Sequence, residues 1–425
     1  EGGPMALLRG LLGGAPSNGR AGTDSGDNGR SADGRASVGT PGLREQLAVT
    51  LPARRRVVVQ SFVRERALRA LGLDVGKRDI GGVAFSGGSS ALYRANLWLR
   101  TATRVIARVG DFHARLFDEL ERHSRKLSWA RFLNAGQPVR LRVSTSKSRL
   151  YHSGAVAERI AEAMEKSTGV APTVTGGGDE DDEAGDIPLV IVRLFRDRCT
   201  VSIDSSGALL HRRGYRLATA KAPLRETLGA ALLLASGWDP ATPLLDPLCG
   251  AGTIPIEGAL MARRIPPGLS RSFAFMQWPG YHEPTWKKVV DEAREQMLPA
   301  APSPILGSDR DAGAIVASRE NAERAGVLAD ITFEEKAISR IAPPPGSEPG
   351  AIVANPPYGV RVGDRDALRN LYAQLGAIAR ERFPGWRLTV LSGDPRLDGQ
   401  IGGTMEKVLA TKNGGIAVRA MRSTT

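Results

Sequence analysis

Two short stretches carry residue types whose spacing suits chemistry. The first, Leu244-Leu-Asp-Pro-Leu-Cys-Gly-Ala-Gly-Thr-Ile-Pro-Ile-Glu257, opens apolar, turns sharply at Cys249-Gly250-Ala251-Gly252, and continues with apolar residues at helical spacing. A strand, a glycine turn and a helix is how open α/β sheets build a ligand crevice at the carboxyl ends of their strands. Gly250 and Gly252 lack a Cβ, so a ligand can approach the backbone there, and Asp246 at the strand tip can hold a cationic group. The second stretch, Ala351-Ile-Val-Ala-Asn-Pro-Pro-Tyr-Gly359, is another apolar strand ending in Asn355-Pro356-Pro357-Tyr358. The prolines fix φ and supply no N–H, so this tip offers carbonyl acceptors, the Asn355 side-chain oxygen and the flat ring of Tyr358. Acceptors beside an aromatic face suit a planar base carrying an exocyclic amine, with the ring face mattering more than the hydroxyl.

Two common nucleotide motifs are excluded. Pro255 stands where a third glycine would complete a dinucleotide-binding fingerprint, and no lysine follows Gly252-Thr253 as in a phosphate-binding loop. Asp246-Pro-Leu-Cys-Gly-Ala-Gly-Thr253 and Asn355-Pro-Pro-Tyr358 resemble motifs I and IV of class I S-adenosylmethionine-dependent methyltransferases acting on exocyclic amines. The chain is most similar to the THUMP-domain RNA guanine-N2 methyltransferases, and within them to the bacterial 23S ribosomal RNA enzymes, over most of 57–425. The resemblance implies S-adenosylmethionine as cofactor. It would be held by Asp246, Cys249, Gly250, Gly252 and Thr253, with Pro223 and Leu224 close by. It implies methyl transfer to guanine N2 at Asn355, Pro356, Pro357 and Tyr358. Some relatives fuse a second methyltransferase domain after this point, and a chain that stops at Thr425 is expected to install one kind of mark.

The elements that position these residues follow from pattern. The fold that the resemblance implies is α/β: a Rossmann-like, seven-stranded methyltransferase domain over 206–425, preceded by a ferredoxin-like and THUMP RNA-binding region over 44–205. Residues 1–43, rich in Gly, Ser, Arg and Asp without apolar periodicity, are expected to be disordered. Within the first region, strands are expected at Leu47–Pro52, Gly81–Ser86 and Val139–Val143, and helices at Ser61–Leu73, Ser90–Arg100 and Ala155–Met164. Pro52–Gln60 departs from the family, which continues there as a helix. Val139-Arg-Leu-Arg-Val143 puts Arg140 and Arg142 on one strand face; with Lys147 and Arg149 they are the candidate phosphate contacts, a solvated edge being the plain alternative. Leu189–Leu194 and Cys199–Ile203 read as a closing strand pair, after a Gly-rich acidic insert at Thr175–Asp186.

In the catalytic half, Ile305–Asp311 is a strand ending in acids. Asp309 stands where this fold accepts two ribose hydroxyls, a helix cap being the alternative. At the next strand tip the family has an Asp for the adenine amine, and Ala337 stands there instead. Adenine recognition then rests on backbone groups or on Glu335. The aromatic insert between Pro266 and Glu295, with Phe273, Phe275, Trp278 and Trp286, favours the ribosomal RNA branch, or simply packs.

Of the 425 residues, 58 are Lys or Arg and 45 Asp or Glu, a net charge of +13 that favours a polyanionic partner. The expected partner is RNA, 23S ribosomal RNA in the first place. Cys199 and Cys249 have no metal or disulfide spacing, so no metal is expected and Cys249 is read as a small packed residue. No apolar run approaches the length of a membrane span, and a cytoplasmic monomer is expected. The alternatives are a transfer-RNA guanine-N2 methyltransferase, an adenine-N6 methyltransferase, a protein-amide methyltransferase, which the basic N-terminal half disfavours, and a non-catalytic RNA-binding assembly factor.

Overall fold

The structure is a computed structural model and describes residues 55–60, 69, 71–79, 82–176, 187–217, 224–358 and 365–424. The expectations for 1–43, for Leu47–Pro52, for most of Ser61–Leu73, for the acidic stretch 177–186 and for Pro223 lie outside these residues.

The N-terminal half is one continuous sheet. Its strands are β1 (Arg55–Gln60), β2 (Asp74–Asp79), β3 (Gly82–Gly87), β4 (Arg104–His113), β5 (Val139–Ser146), β6 (Val174–Gly176), β7 (Leu189–Phe195) and β8 (Arg198–Asp204), in the order β2-β3-β1-β4-β8-β7-β5-β6. Arg55–Gln60, where the family continues as a helix, is a strand paired on both edges, with β3 and with β4. Val57-Val58-Val59 is a β-branched run that packs well on a pleated surface and poorly in a helix. Helices α1 (Ser89–Trp98), α2 (Phe117–Ser124) and α3 (Ser153–Thr168) accompany the sheet, and Leu92, Leu120 and Ile160 share one core with Phe85, Leu141, Val192 and Val201.

The C-terminal half alternates helix and strand: α4 (Glu226–Ser236), β9 (Leu244–Asp246), α5 (Thr253–Ala262), α6 (Glu283–Arg294), β10 (Ile305–Asp309), α7 (Ala312–Arg324), β11 (Ile331–Glu335), β12 (Ala351–Ala354), α8 (Arg365–Arg382), β13 (Arg387–Ser392), α9 (Pro395–Ile401), β14 (Met405–Asn413) and β15 (Ile416–Ser423). The seven strands lie in the order β11-β10-β9-β12-β13-β15-β14; the first five are parallel and β15 is antiparallel to both neighbours. The order reverses beside β9: the chain steps outward through β10 and β11, then returns to β12 on the other side. That switch point opens a crevice at the strands' carboxyl ends, where both sequence motifs sit.

The aromatic insert packs, and it packs into the N-terminal core rather than onto the seven-stranded sheet. Phe273, Phe275, Trp278 and Val289 belong to the same buried cluster as Phe85 and Leu92. The Phe275 ring stacks on Tyr93 of α1 with centroids 4.4 Å apart, Trp278 meets Phe132 edge-on at 4.9 Å, and Arg94 pairs with Glu292 at 2.7 Å. A second tie is polar. The fully buried Glu257 of α5 accepts from Arg213 at 3.4 Å and from the Tyr215 hydroxyl at 3.3 Å, while Arg100 donates to the Leu260 and Ile265 carbonyls. Among the described residues no helix is long and apolar enough to cross a membrane.

Candidate active site

The site is built at the ends of β9, β10 and β12. β9 delivers Asp246 to the crevice floor, 1% exposed, where its Oδ1 accepts from the Leu248 N–H at 3.1 Å. Burial pushes the Asp246 carboxyl well above the usual carboxylate range, and the nearby Asp309 charge adds to this. A cationic group placed beside it would reverse that shift.

The chain then turns through Cys249–Gly252. Gly250 and Gly252 hold φ of +52° and +81°, the left-handed region where a Cβ is costly. The two glycines differ in what they face. A Cβ on Gly250 would meet nothing within 4 Å, so the backbone there is open to a ligand. A Cβ on Gly252 would lie 3.1 Å from that of Ser318 and 3.2 Å from Ile256 Cδ1. Open backbone is thus found at Gly250, whereas Gly252 lies against Ser318 of α7 and Ile256, where a Cβ would crowd the turn.

Side chains that sequence reasoning passed over hold the turn. Ser318 Oγ donates to the Gly250 carbonyl at 2.6 Å, and Asn321 Nδ2 to the Ala251 carbonyl at 3.0 Å. Both are buried polar residues one helical turn apart on α7, a pattern visible in the sequence once the helix is placed. Cys249 is buried, its sulfur 3.8 Å from Ser318 Oγ, and burial pushes the thiol up. That environment suits a packed small residue rather than a nucleophile. Thr253, first residue of α5, accepts through its hydroxyl from Arg216 at 2.7 Å; the same guanidinium donates to the carbonyl of buried Leu224 at 2.7 Å.

Asp309 ends β10. Its Oδ2 accepts from the Gly250 N–H at 3.0 Å and its Oδ1 from the Asp311 N–H at 3.1 Å. Asp311, not Asp309, caps the following helix, accepting from Gly313 and Ala314. The carboxylate of Asp309 thus locks the turn to the neighbouring strand tip, and the residue is half-buried. Ala337 follows β11 and presents no polar side chain; Glu335 is exposed at the strand's end.

On the other side of β9, β12 delivers Asn355-Pro-Pro-Tyr358. Asn355 Oδ1 is buried and has no hydrogen-bond partner among the described residues. Pro356 is buried, Pro357 exposed and Tyr358 half-buried, touching the apolar layers on both faces of the sheet. The Tyr358 ring lies so close to Gly393 that a Cβ there would be 2.7 Å from ring carbon Cδ2. Its hydroxyl accepts from Asn413 Nδ2 at 2.8 Å. Gly393 thus bounds the plane of the Tyr358 ring and Asn413 holds its tip.

The four basic candidates are not equivalent. Lys147 and Arg149 are exposed in the turn after β5, with Lys147 at φ +52°, and the turn is pinned where the Arg149 N–H donates to Asp197 at 2.8 Å. Arg142 is half-buried. Arg140 is only 9% exposed, on a strand paired with β6 on one edge and β7 on the other.

Comparison with known families matches residues 213–420 to the model described as "RMKL-like, methyltransferase domain" and residues 63–106 to "RlmL ferredoxin-like domain". The chain is 34% identical over 350 residues to a putative RNA methyltransferase of Synechocystis sp., covering 82% of this chain and 90% of that protein. It is 36% identical over 371 residues to the ribosomal RNA large subunit methyltransferase K/L of Syntrophotalea carbinolica, covering 83% of this chain and 50% of that protein. The chain therefore spans about half the length of that relative. Among solved structures, a Listeria monocytogenes protein described as a predicted N6-adenine-specific DNA methylase superposes with a TM-score of 0.76 at 32% identity, covering 90% of this chain and 98% of its own. SMU.472, a putative methyltransferase solved with SAH, gives 0.75 at 29% identity, covering 88% and 98%.

Proposed function

The chain belongs to the RMKL-like class I RNA methyltransferases, and from that membership we propose that it methylates the exocyclic N2 of a guanine in structured RNA, 23S ribosomal RNA first. S-adenosylmethionine is the methyl donor, supplying an electrophilic methyl on its sulfonium. The crevice fits it: an open backbone at Gly250, a buried carboxyl at Asp246 with no cationic partner among the described residues, and the Asp309 carboxylate at the next strand tip. In this reading Asp246, Cys249, Gly250, Thr253 and Asp309 hold the cofactor, with Pro223 and Leu224 flanking it. Residues 206–425 carry the chemistry and 44–205 the RNA contacts.

The observation that carries the amine assignment is the buried Asn355 oxygen, without a hydrogen-bond partner among the described residues, beside the half-buried Tyr358 ring. A buried acceptor left unpaired costs about 1–3 kcal/mol, a cost recovered when a ligand N–H fills it. The exocyclic nitrogen of guanine is a poor nucleophile because its lone pair is delocalised into the ring. Hydrogen bonds from its N–H groups to Asn355 Oδ1 and the Pro356 carbonyl would favour a pyramidal nitrogen and aim the lone pair. Tyr358 stacks on the base, which must be unpaired or flipped out to enter. No strong base is required, because the methylated ammonium loses its proton readily to solvent. Lys147 and Arg149 hold RNA phosphates.

The test is methyl incorporation into unmodified ribosomal RNA followed by nucleoside analysis. Wild type should yield N2-methylguanosine. Asn355→Ala should lower turnover by roughly 10²-fold, as for a lost orienting hydrogen bond, with cofactor affinity by calorimetry nearly unchanged. N6-methyladenosine as product would keep the site and replace the base, the reading toward which the description of the Listeria protein leans. Full activity in Asn355→Ala would remove the site.

A further inference from the structure

The hairpin that steadies Tyr358 has a second feature with no internal role. β14 and β15 are joined by the two-residue turn Gly414–Gly415, both at positive φ (+54° and +86°), the tight turn that matches the strands' twist. Asn413 and Ile416 face each other across it. Directly opposed residues of an antiparallel pair project to the same face. The Asn413 side chain reaches the Tyr358 hydroxyl, so Ile416 lies on that same face beside it. Along β15 this face is apolar: Ala420 is 0% exposed, Val418 3%, and Ile416 48%. The strand overhangs the sheet. Arg419 pairs with Ser392, the last residue of β13, so 416–418 run on past the carboxyl edge, where the crevice opens. An apolar stripe that packs the core thus continues into solvent as one stiff, β-branched side chain next to the stacking ring.

We propose that Ile416 is an apolar wedge that enters the RNA base step beside the target nucleotide and occupies the space its extruded base leaves. The inference rests on the reading of Asn355–Tyr358 as the site that receives that base. A flipped base leaves a gap in the stack, and proteins that unstack RNA or DNA steps fill such gaps with aliphatic or aromatic side chains. Ile416 meets the requirements on the page. It is exposed, it flanks a two-residue turn, and the partner strand β14 of its hairpin is tied to the base-stacking ring by the Asn413–Tyr358 hydrogen bond. The occupant is a nucleobase step and not a protein, because the crevice it overhangs is the one proposed to take a nucleotide.

The experiment compares wild type with Ile416→Ala, Ile416→Ser and Ile416→Leu in single-turnover methylation of folded, unmodified 23S ribosomal RNA transcript. Ile416→Ala and Ile416→Ser should slow methylation about tenfold or more, and Ile416→Leu should stay within about twofold, since volume and not chemistry fills the gap. Cofactor affinity by calorimetry should be the same in all four. The modified nucleotide is then mapped from the wild-type product, and a second transcript is made that leaves it unpaired. On that RNA the Ile416→Ala deficit should shrink to about twofold, because the extrusion step is already done. Wild-type rates in Ile416→Ala and Ile416→Ser would show that the side chain is only a solvated tip. An equal deficit on paired and unpaired transcripts would overturn the wedge while leaving the methyl-transfer reading intact. No methylated product from wild type on any RNA would overturn the functional reading, and the wedge with it.

Discussion

The hydrogen bond between Asn413 and Tyr358 can be weighed by a double-mutant cycle. Tyr358→Phe removes the acceptor and keeps the ring; Asn413→Ala removes the donor; the double variant removes both. The bond is 2.8 Å long and part-buried, between neutral groups. Such a bond contributes about 0.5–1.5 kcal/mol net, so each single change should lower kcat/KM about 2- to 12-fold. The double variant should be scarcely worse than either single one, because the second loss removes a bond already gone. Gly393→Ala tests the ring's plane independently. Its Cβ would sit 2.7 Å from ring carbon Cδ2, closer than carbon atoms approach, so the ring must tilt. If stacking on the base is worth about 1–3 kcal/mol, that tilt should cost more than the loss of the hydroxyl. The assay is single-turnover methylation of unmodified ribosomal RNA, with cofactor affinity measured alongside and expected to be unchanged. Additive losses in the cycle, or a wild-type rate in Gly393→Ala, would refute the view that this ring is held in one pose for stacking.

Three further predictions concern the cofactor and the RNA. Asp309→Ala should weaken S-adenosylmethionine binding by roughly 1–3 kcal/mol, since it strips hydrogen bonds from the ligand and from the Gly250 N–H; unchanged calorimetric affinity would take Asp309 out of the site. Asp246 has a raised folded-state pKa, so its proton-linked stability is present below the ordinary carboxylate value, about 4, and is lost as pH rises through the raised value. Asp246→Asn should therefore leave the apo protein more stable than wild type near neutral pH, with the difference vanishing in acid, yet bind the cofactor more weakly. Identical melting curves across that pH range would contradict this. Neutralising Lys147 and Arg149 together should make the slope of log affinity against log salt shallower by about 1.5, as for two lost phosphate contacts, while Arg140→Gln should leave it unchanged; an effect of Arg140 equal to the other two would reverse the ranking taken from burial.

What the sequence disclosed was what local pattern controls. The β9 strand, its glycine turn and α5 were legible because apolar periodicity and positive-φ glycines are properties of neighbours in the chain. The same holds for Asn355–Tyr358 at the end of β12, while the seven-stranded sheet as a whole was expected from the family resemblance. At Pro52–Gln60 the sequence showed a departure from the family without showing what replaces it; Arg55–Gln60 is a strand. The misses are all partners distant in sequence. Met405–Asn413 mixes Glu406, Lys407 and Lys412 with Val408 and Leu409, as an edge strand can, and gave no clean alternation. The aromatic residues of the insert declared themselves apolar but not which core they would join. Arg140 looked like a surface cation because strand alternation gives the face a side chain is on but not how much of that face is covered.

The docking of Phe273, Phe275, Trp278 and Trp286 beside Tyr93 has a consequence for how the polypeptide can be divided. A cut between 205 and 206 looks natural on the primary structure, yet it would strip these rings of their cover and leave a bare aromatic patch on the catalytic fragment. The N-terminal fragment would in turn be hollow where those rings belong. Folding is therefore shared across the two halves, which should melt as one cooperative unit. A chimera that grafts a foreign RNA-binding half onto this catalytic sheet would have to exchange 266–295 along with it, even though that segment lies in the middle of the catalytic half.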